Sequence, residues 1–419
     1  MSAPTAVRES RTAQPATVAE LIALRSAAAV RARCALVHAW VAAGRSPHFS
    51  LDETRLDTAA DLVADVTRAA YPDLVIPHHS RWRHFSAGGL DRWAALPLAD
   101  LGPIERARAA VDLACVSVLL DAGAGAAWTY QDKDTGGAFA RSEGLAVASF
   151  AMFCAGAFSS DPSNPLRVDG AALARLDLAT LATGFQVSER NPLVGLAQRM
   201  TLLRRLGEAL AARPDLFGAA ARPGCLVDAI LAASPAETIA AADVLALVLD
   251  GLATIWPSGL TVDGVALGDA GRHPAVRTRD RSDGIVPFHK LSQWLTYSLI
   301  EPIEQAGISV VDLDGLTGLP EYRNGGLLID MGVIVPRAPL DPAMPHEVAS
   351  ELIVEWRALT VALLDRLREP VRRRLGLASL AMSQLLQGGT WSAGRAIAAR
   401  LRPPDGPPPI AVKADGTVF

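Results

Sequence analysis

Apolar residues recur at every third or fourth position over long stretches of the chain, which is the spacing of one face of an α-helix. The clearest such stripe occupies residues 347–368. It consists of Val348, Leu352, Trp356, Leu359, Leu363 and Leu367. We expect this helix to end at Pro370, because proline cannot donate the backbone hydrogen bond that a helix requires.

Short motifs predict where further helices begin. Thr17 and Glu20 form a capping box, in which each side chain accepts a hydrogen bond from a backbone N–H group of the first helical turn. The pattern predicts that a first long helix runs from there to a stop at Gly44. The same start signal recurs at Ser50 with Glu53 and at Ser234 with Glu237.

Strand signals are few and short. Residues 260–267 contain Asp263-Gly264 between two apolar arms, which is a strong hairpin signal. Residues 308–313 and 327–335 are β-branched runs, so each is either a strand or an extended buried segment. The pattern therefore predicts a mainly α fold with a few short strands.

The same reading predicts one large helical body over residues 17–402. A flexible segment, residues 1–16, precedes it, and a tail rich in proline and glycine, residues 403–419, follows it. Two lobes would meet near residues 159–167, where Asp-Pro and Asn-Pro pairs interrupt the helical pattern, unless this stretch is only a long loop.

Composition and charge exclude several classes of protein. Half of the 419 residues are apolar, so a large core forms and intrinsic disorder is excluded for the body of the chain. The net charge of −4 argues against nucleic acid or an anionic membrane as a partner. The most apolar stretch, residues 144–158, is too short to span a membrane and predicts a buried helix.

Cysteine usage and the start of the chain suggest where the protein resides. The four cysteines form no Cys-x-x-Cys pair, so we expect neither a disulfide framework nor a structural zinc site. The first residues lack the apolar core of a secretory signal. We therefore expect a cytoplasmic protein, and the sequence gives no indication of its oligomeric state.

A first segment with candidate chemistry comprises residues 71–93, where prolines prevent a long helix. Arg81 and Arg83 can bind an anion through their fork-shaped guanidinium groups, and Trp82 offers a flat stacking face. His84 adds an imidazole. The alternative is a surface loop that packs on the core through its aromatic residues, and a metal site is disfavoured because no third ligand is evident.

A second segment contains Gly123 and Gly125 ahead of Trp128 and Tyr130. It is not a dinucleotide-binding motif, because it lacks the third glycine and follows a predicted helix. Its small residues instead allow two helices to approach closely. The sequence leaves open whether Trp128 and Tyr130 belong to a site or to the core.

A third segment has two parts, one around Lys290 and one around Glu321. Lys290 opens a predicted helix, and Glu321 lies in a turn bounded by proline and glycine. A carboxylate that a loop holds against a rigid scaffold is a common way to mount a catalytic group. The alternative is a purely structural ion pair, either of Lys290 with Glu321 or of Arg323 with Asp312.

Three strings within these segments carry a resemblance to a known family. They are residues 76–85 (IPHHSRWRHF), 288–294 (FHKLSQW) and 316–326 (LTGLPEYRNGG). They resemble the uracil-catabolism protein family of fungi and bacteria, and the similarity extends over nearly the whole chain. The resemblance implies a role in the pathway that degrades uracil through its nucleotide and ribosylurea to urea.

A more distant resemblance concerns the queuosine-salvage family, which hydrolyses the N-glycosidic bond of queuosine 5′-phosphate. That family has Pro-Lys-Lys-Ala-Gln at a helix start and, further along, Leu-Thr-x-Phe-x-Asp-Tyr-Arg. The resemblance implies that Lys290 is a site lysine and that Glu321 stands where the family has its catalytic aspartate, with a longer side chain. It also implies a helical fold distantly like that of DNA glycosylases.

The chemistry of N-glycoside cleavage agrees with these positions. The reaction develops oxocarbenium charge on the ribose, which Glu321 would stabilise while it orients or deprotonates water. His289 or His84 would supply a proton to the departing urea. The candidates for a 5′-phosphate clamp are Arg81, Arg83 and Lys290. The other substrate-binding candidates are Trp82, Trp128, Tyr130, Tyr322 and Arg323.

The sequence thus predicts a metal-independent N-ribosyl hydrolase without a cofactor, acting on a small ribosyl substrate such as ribosylurea or its 5′-phosphate. One alternative is a non-catalytic protein of the pathway that binds a nucleotide or a partner. An amidohydrolase acting on the ureido group is disfavoured, since neither a dense metal-ligand cluster nor a Gly-x-Ser-x-Gly motif is present. We further expect the loop with Arg81 and His84, Trp128 and the Lys290/Glu321 pair to converge on one cleft.

Overall fold

The computed structural model describes residues 18–98, 100–234, 236–341, 344–404 and 406–413. The fold is mainly α, with 53% of the described residues in helices and 9% in strands, which confirms the predicted fold class. Over the described residues, none of the helices is both long and apolar enough to cross a membrane.

The helices are distributed along the whole chain. The first group is α1 (Val18–Ile22), α2 (Ala27–Ala42), α3 (Leu56–Ala70), α4 (Trp82–Phe85), α5 (Pro103–Leu119), α6 (Arg141–Cys154), α7 (Gly170–Arg175) and α8 (Leu178–Gly184). The second group is α9 (Leu196–Ala212), α10 (Pro214–Phe217), α11 (Leu226–Ala233), α12 (Ala241–Leu252), α13 (Lys290–Gln305), α14 (Tyr322–Asp330), α15 (Glu351–Leu375), α16 (Met382–Leu385) and α17 (Trp391–Leu401).

The strands form two-stranded sheets only, within the described residues. Four pairs are antiparallel: β1 (Phe49–Leu51) with β10 (Ile334–Pro336), β2 (Thr129–Gln131) with β3 (Ala138–Ala140), β5 (Leu260–Val262) with β6 (Val265–Gly268), and β7 (Ala270–Arg272) with β8 (Ile285–Pro287). The pair of β4 (Thr238–Ala240) with β9 (Ser309–Val311) is parallel. These short strand pairs lie in the segments that connect the helices.

Helix α13 lies at the centre of the molecule, and its residues 291–300 are all buried. It packs on α5 and α12, while α15 packs on α2, α3 and α14. Helix α14 also lies against α17. The N-terminal ends of α13 and α14 are therefore held by helices on several sides.

The apolar stripe at residues 347–368 forms α15, as predicted, but the helix does not end at Pro370. It continues to Leu375 because Pro370 removes only one backbone donor, while Val371 and Leu375 keep the apolar face buried beyond it. The helix ends at Gly376, whose φ of 70° is left-handed and favours glycine.

The predicted first long helix is divided into α1 and α2. Ser26 separates them, since its backbone is extended (φ −152°) and its Oγ accepts a hydrogen bond from the N–H of Ala29 at 3.2 Å. The predicted stop at Gly44 is confirmed by the end of α2 and a φ of 73° at this glycine. Thr17, one half of the predicted capping box, lies outside the described residues.

The other two predicted helix starts are wrong. Ser50 lies in β1, and α3 begins only at Leu56, after Asp52 has capped a short 3₁₀ turn. Ser234 follows the end of α11, and the next regular element is the strand β4; Pro235 lies outside the described residues. In both places, pairing with a distant strand overrides the local helix signal.

The predicted hairpin is confirmed. Strands β5 and β6 turn at Asp263 and Gly264, whose φ values of 49° and 80° suit a two-residue turn. The run at residues 308–313 contains β9, as one of its two readings predicts. The run at residues 327–335 is a strand only at its end, because α14 takes up residues 327–330.

Residues 159–167 form a loop between α6 and α7 without helix or strand. Phe158 and Val168, at the two ends of this loop, are fully buried in the same hydrophobic cluster. The tail also packs on the body over its described part, where Ile410 is only 1% exposed. Residues 1–16, predicted to be flexible, lie outside the described residues.

Gly394 in α17 allows this helix to approach the helix that carries the candidate site. A Cβ atom at residue 394 would overlap the carbonyl oxygen of Arg323 in α14. We expect Gly394→Ala to lower the free energy of unfolding by about 2–3 kcal/mol, because the backbones of two packed helices must move apart. Urea unfolding measures this loss.

Gly102→Ala is the control for this prediction. Residue 102 has an ordinary φ of −62°, and an added Cβ would meet no atom within 4 Å. Gly102→Ala should lower the free energy of unfolding by less than about 1 kcal/mol, because alanine is a poorer residue than glycine at a helix start. Equal losses in the two variants would contradict the close helix contact at Gly394.

Candidate active site

The N-terminal ends of four helices surround a cavity of about 420 Å³, a size suited to a small molecule. The first residues of α6, α13, α14 and α17 all line it, together with the loop after α5 and the C-terminal residues 407–412. The polar and aromatic residues of its wall are His79, His84, Asp121, Arg141, Ser142, Lys290, Trp294, Glu321, Tyr322, Arg323 and Trp391.

Glu321 lies at the N-terminal end of α14, and its side chain caps this helix. One carboxylate oxygen, Oε2, accepts a hydrogen bond from the N–H of Arg323 at 2.9 Å, and Oε1 accepts one from the N–H of Asn324 at 2.5 Å. Burial raises the pKa of Glu321, while these two donors and the Lys290 charge act in the opposite direction. The carboxylate is thus held in one orientation at the cavity wall.

Lys290 is the first residue of α13, as the sequence predicts. Its backbone N–H donates to Asp269 Oδ2 at 2.9 Å, and Asp269 also accepts two hydrogen bonds from Arg357 at 2.9 and 2.8 Å. Burial and the nearby Arg357 charge lower the pKa of Lys290, whereas the carboxylates of Glu321, Asp269 and Asp121 oppose this. The ammonium charge of Lys290 therefore interacts with two carboxylates of the cavity wall, those of Glu321 and Asp121.

An aromatic wall forms another side of the cavity. Trp294 from α13 stacks with His79 at 6.0 Å between ring centroids, and His84 meets the same indole edge-on at 6.0 Å. Burial and the charge of Arg81 hold the pKa of His84 well below its usual value, and burial lowers the pKa of His79. Both imidazoles are therefore neutral at pH 7, and a flat group can stack against this wall.

Arg81 does not line the cavity but lies directly behind its wall. The guanidinium is fully buried, and its Nε donates to Ser117 Oγ at 2.7 Å. Its Nη1 lies 3.1 Å from Oδ2 of Asp121 and donates to the carbonyl of Ser142 at 3.1 Å. Arg81 thus positions Asp121 through Nε and Nη1, while its Nη2 has no hydrogen-bond partner among the described residues.

Asp121 is a site residue that our sequence analysis missed. It is the single charged residue within residues 113–127, and it directly follows the buried end of α5. An acid at the end of an otherwise apolar segment is a signal that could have identified it. The buried Arg199 holds the loop around it, donating to the carbonyls of Leu120 at 2.9 Å and Ala122 at 2.7 Å.

Trp128 and Tyr130, which the sequence left open as site or core residues, both lie in the core. Trp128 is fully buried, and its Nε1 donates to the carbonyl of Phe185 at 2.9 Å. Tyr130 is 7% exposed in β2. Neither lines the cavity, so the structure brings His84 together with the residues Lys290 and Glu321 and leaves Trp128 apart.

Trp82 and Arg83 line a different cavity, of about 500 Å³. Trp82 Nε1 donates to the carbonyl of Ser298 at 2.7 Å, and Arg83 forms an ion pair with Glu301. These contacts attach the loop to α13. The predicted roles of Trp82 in stacking a substrate and of Arg83 in holding a phosphate do not fit this placement.

His289 precedes α13 with a left-handed backbone (φ 51°) and is 1% exposed. Its Nε2–H donates to the carbonyl of Leu24 at 2.9 Å, and the residue is not part of the cavity wall. His289 therefore lies outside the cavity wall, whereas its neighbour Lys290 is part of it. Of the two histidines that the sequence offers as proton donors, His84 lies on the cavity wall and His289 does not.

Tyr322 and Arg323 follow Glu321 at the start of α14 and line the cavity, next to the C-terminal segment. Arg323 Nη1 donates to the carbonyl of Gly406 at 2.7 Å, and its guanidinium lies 5.0 Å from the centre of the Tyr322 ring. Pro408 and Ile410 continue the wall. The tail thus completes the cavity, a role that its composition does not reveal.

The remaining missed residues of the wall differ in the signal that they offered. His79 and Trp294 stand inside the strings that resemble a family, so their neighbourhood was visible in the sequence. Arg141 and Trp391 are first residues of helices whose directions are set by packing. No local signal could have identified these two.

Comparison with known proteins agrees with the motifs around this cavity. A family described as "Protein of unknown function (DUF1688)" matches residues 23–419. Uracil catabolism protein 4 of Lachancea kluyveri is 38% identical over 415 residues, which cover 90% of this chain and 93% of the relative. Protein urg3 of Schizosaccharomyces pombe is 41% identical over 382 residues, covering 88% and 92%. The chain therefore belongs to the family described as DUF1688, as the motifs around Arg81, Lys290 and Glu321 predict.

Proposed function

We propose that the protein is an N-ribosyl hydrolase of uracil catabolism that cleaves ribosylurea, or its 5′-phosphate, to urea and ribose or ribose phosphate. The name of the Lachancea kluyveri relative supports the pathway. The observation that carries the reaction is the Glu321 carboxylate, which two backbone N–H groups hold at the wall of a small-molecule cavity beside Lys290.

Glu321 acts on the ribose in this proposal. As the bond between C1′ and the ureido nitrogen breaks, positive charge develops at C1′ and O4′, and a fixed carboxylate stabilises it. The same carboxylate takes a proton from the attacking water, whose hydroxyl group C1′ retains. The departing nitrogen gains one proton, which replaces the proton that Glu321 takes from the water, so that one water molecule is consumed and the products are urea and the free sugar.

The aromatic wall acts on the leaving group. The ureido group is planar, and Trp294 with His79 offers it a flat face. His84 is neutral, because burial holds the pKa of its imidazole well below the usual value. A neutral imidazole can donate a hydrogen bond to the ureido oxygen and so stabilise the negative charge that develops there.

Three cationic residues of the cavity wall suit a 5′-phosphate: Arg141, Lys290 and Arg323. Lys290 is retained from the clamp that the sequence suggested, and Arg141 and Arg323 take the place of Arg81 and Arg83. Their presence favours the phosphorylated form of the substrate over free ribosylurea.

A urea-release assay with purified protein tests this function. We expect urea from ribosylurea 5′-phosphate, and less from unphosphorylated ribosylurea. Release of ammonia in place of urea would support an amidohydrolase acting on the ureido group. Binding without turnover would support a non-catalytic member of the pathway and would contradict our proposal.

The pH dependence of kcat/KM is a further prediction. Glu321 must be ionised, and burial raises its pKa, so activity should fall with decreasing pH at a point above about 4.3, the usual value for glutamate. Lys290 must be charged, and burial lowers its pKa, so activity should fall with increasing pH below about 10.4, the usual value for lysine.

Lys290→Arg tests the alkaline limb of this profile. Arginine stays protonated throughout the range, so the fall at high pH should disappear or move upward while the acidic limb stays in place. An alkaline limb that is unchanged in Lys290→Arg would contradict the assignment of this titration to Lys290.

A further inference from the structure

Buried arginine–aspartate pairs in this protein differ in how fully the carboxylate is engaged. In the pair of Arg357 with Asp269, each carboxylate oxygen accepts a hydrogen bond from the guanidinium. Asp112 likewise accepts from Arg222 through Oδ2 and from the N–H of Gly224 through Oδ1, both at 2.6 Å. These carboxylates are satisfied by the protein itself.

Asp121 is held by Arg81 through one carboxylate oxygen, and the Lys290 ammonium adds an electrostatic attraction. Its Oδ2 lies 3.1 Å from Arg81 Nη1, whereas none of the hydrogen bonds recorded for the described residues reaches Oδ1. The side chain is 8% exposed, and the residue lines the cavity. An ionised carboxylate only accepts hydrogen bonds, so Oδ1 calls for a donor from a ligand in the cavity.

A ribosylurea offers two kinds of donor, the hydroxyl groups of the ribose and the N–H groups of the ureido moiety. The ureido moiety gains electrons as it leaves, and a carboxylate beside it would oppose this charge. The ribose becomes positively charged instead, and a hydrogen bond from its 2′-hydroxyl to a carboxylate grows stronger in that state. The electrostatics of the reaction therefore place Asp121 at the sugar.

We propose that Asp121, held by Arg81, binds the 2′- and 3′-hydroxyl groups of the ribose and makes the site selective for ribosides over 2-deoxyribosides. This inference rests on the N-ribosyl hydrolase proposed above. Asp121 is thus a specificity-determining residue, and Arg81 is the residue that positions it.

Binding of two sugar phosphates by calorimetry tests the proposal without requiring turnover. D-ribose 5-phosphate should bind the wild-type protein about 10- to 100-fold more tightly than 2-deoxy-D-ribose 5-phosphate, the effect of one hydrogen bond to a charged group. In Asp121→Ala the two affinities should become nearly equal, because the ribose compound alone loses binding.

Asp132→Ala is the matched control. Asp132 forms a buried ion pair with Arg92, at 2.6 Å and with side chains 5% and 2% exposed, but it does not line the cavity. Asp132→Ala should destabilise the protein about as much as Asp121→Ala does and leave the preference for ribose unchanged. If Asp121→Ala does not fold, Arg81→Gln/Asp121→Ala removes both charges of the pair and carries the same prediction.

The outcomes separate this inference from the proposed function. A ribose preference that Asp121→Ala abolishes, in a protein that releases no urea, would support the diol site and contradict the hydrolase. Urea release by a protein that binds both sugar phosphates equally would support the hydrolase and contradict the diol site. A ribose preference that persists in Asp121→Ala would overturn the role of Asp121.

Discussion

Glu321→Gln should lower the turnover of ribosylurea 5′-phosphate by about a hundredfold or more, the usual cost of removing one well-placed electrostatic group from a transition state. Substrate affinity should change little, because the charge that Glu321 opposes exists only in the transition state. The expected signature is a fall in kcat at nearly constant KM, measured as urea release under steady-state conditions.

The capping role of Glu321 adds a smaller effect on stability. Glutamine keeps one acceptor oxygen, but its amide nitrogen would face a backbone N–H group of residue 323 or 324, so one capping hydrogen bond is lost. This should cost about 1 kcal/mol of unfolding free energy. Such a loss leaves the enzyme folded at assay temperature and does not account for a hundredfold change in rate.

Asp177→Asn is the matched control for this variant. Asp177 caps α8 by accepting a hydrogen bond from the N–H of Thr180 at 2.7 Å, and it is exposed and remote from the cavity wall. It should lose no more stability than Glu321→Gln and keep full turnover. Near-full turnover in Glu321→Gln would remove the central residue of the proposed mechanism.

Asp269→Asn should destabilise the protein by about 3–5 kcal/mol, the cost of removing one partner of a buried ion pair. Asp269 accepts two hydrogen bonds from Arg357 and one from the N–H of Lys290, and the two side chains of the pair are 5% and 3% exposed. Urea unfolding measures the loss. Because Asp269 also fixes the start of α13, kcat should fall with stability as Lys290 loses its position.

The pH dependence of this stability has a definite sign. Burial by itself raises the pKa of Asp269, but the Arg357 charge and the hydrogen bonds outweigh it and hold the pKa below its usual value. The stabilisation is therefore present above the usual aspartate pKa and is lost as the pH falls through the lowered value. Asp269→Asn should show a shallower loss of unfolding free energy with acid than the wild type.

Two further variants test whether the buried charge causes the loss of stability in Asp269→Asn. Arg281 and Asp263 form an exposed pair at 2.6 Å, so Asp263→Asn should cost less than about 1 kcal/mol. Arg357→Met/Asp269→Asn should recover part of the loss, since the buried charge is removed as well. An equally small effect of Asp269→Asn and Asp263→Asn would show that the buried pair does not anchor α13.

Local signals in the sequence were sufficient for some of the elements. The stripe of α15, the Asp263-Gly264 hairpin and the start of α13 at Lys290 follow from side chains within a few residues of each other. Helical periodicity and turn chemistry act over such short distances, so they can be read without the fold. The predictions at Ser50 and Ser234 failed where a distant strand competes.

For the candidate site, the sequence by itself indicated Lys290, Glu321 and His84, through their polar surroundings and their resemblance to known families. It did not reveal which neighbours share their cavity. Arg83 and His289 stand next to site residues in the chain, yet their side chains bind Glu301 and the carbonyl of Leu24. Adjacent residues on a helix end or a tight turn point in different directions, and only packing decides which direction is the cavity.

The tertiary structure alone decided the composition of the cavity wall. It brings Asp121 from the end of α5, Trp294 from α13, Trp391 from α17 and the tail residue Ile410 to one place, although they are far apart in sequence. It also decided that Arg81 lies behind the wall as the partner of Asp121. These arrangements depend on how helices pack on the buried α13, and long-range packing leaves no periodic or local pattern in the sequence.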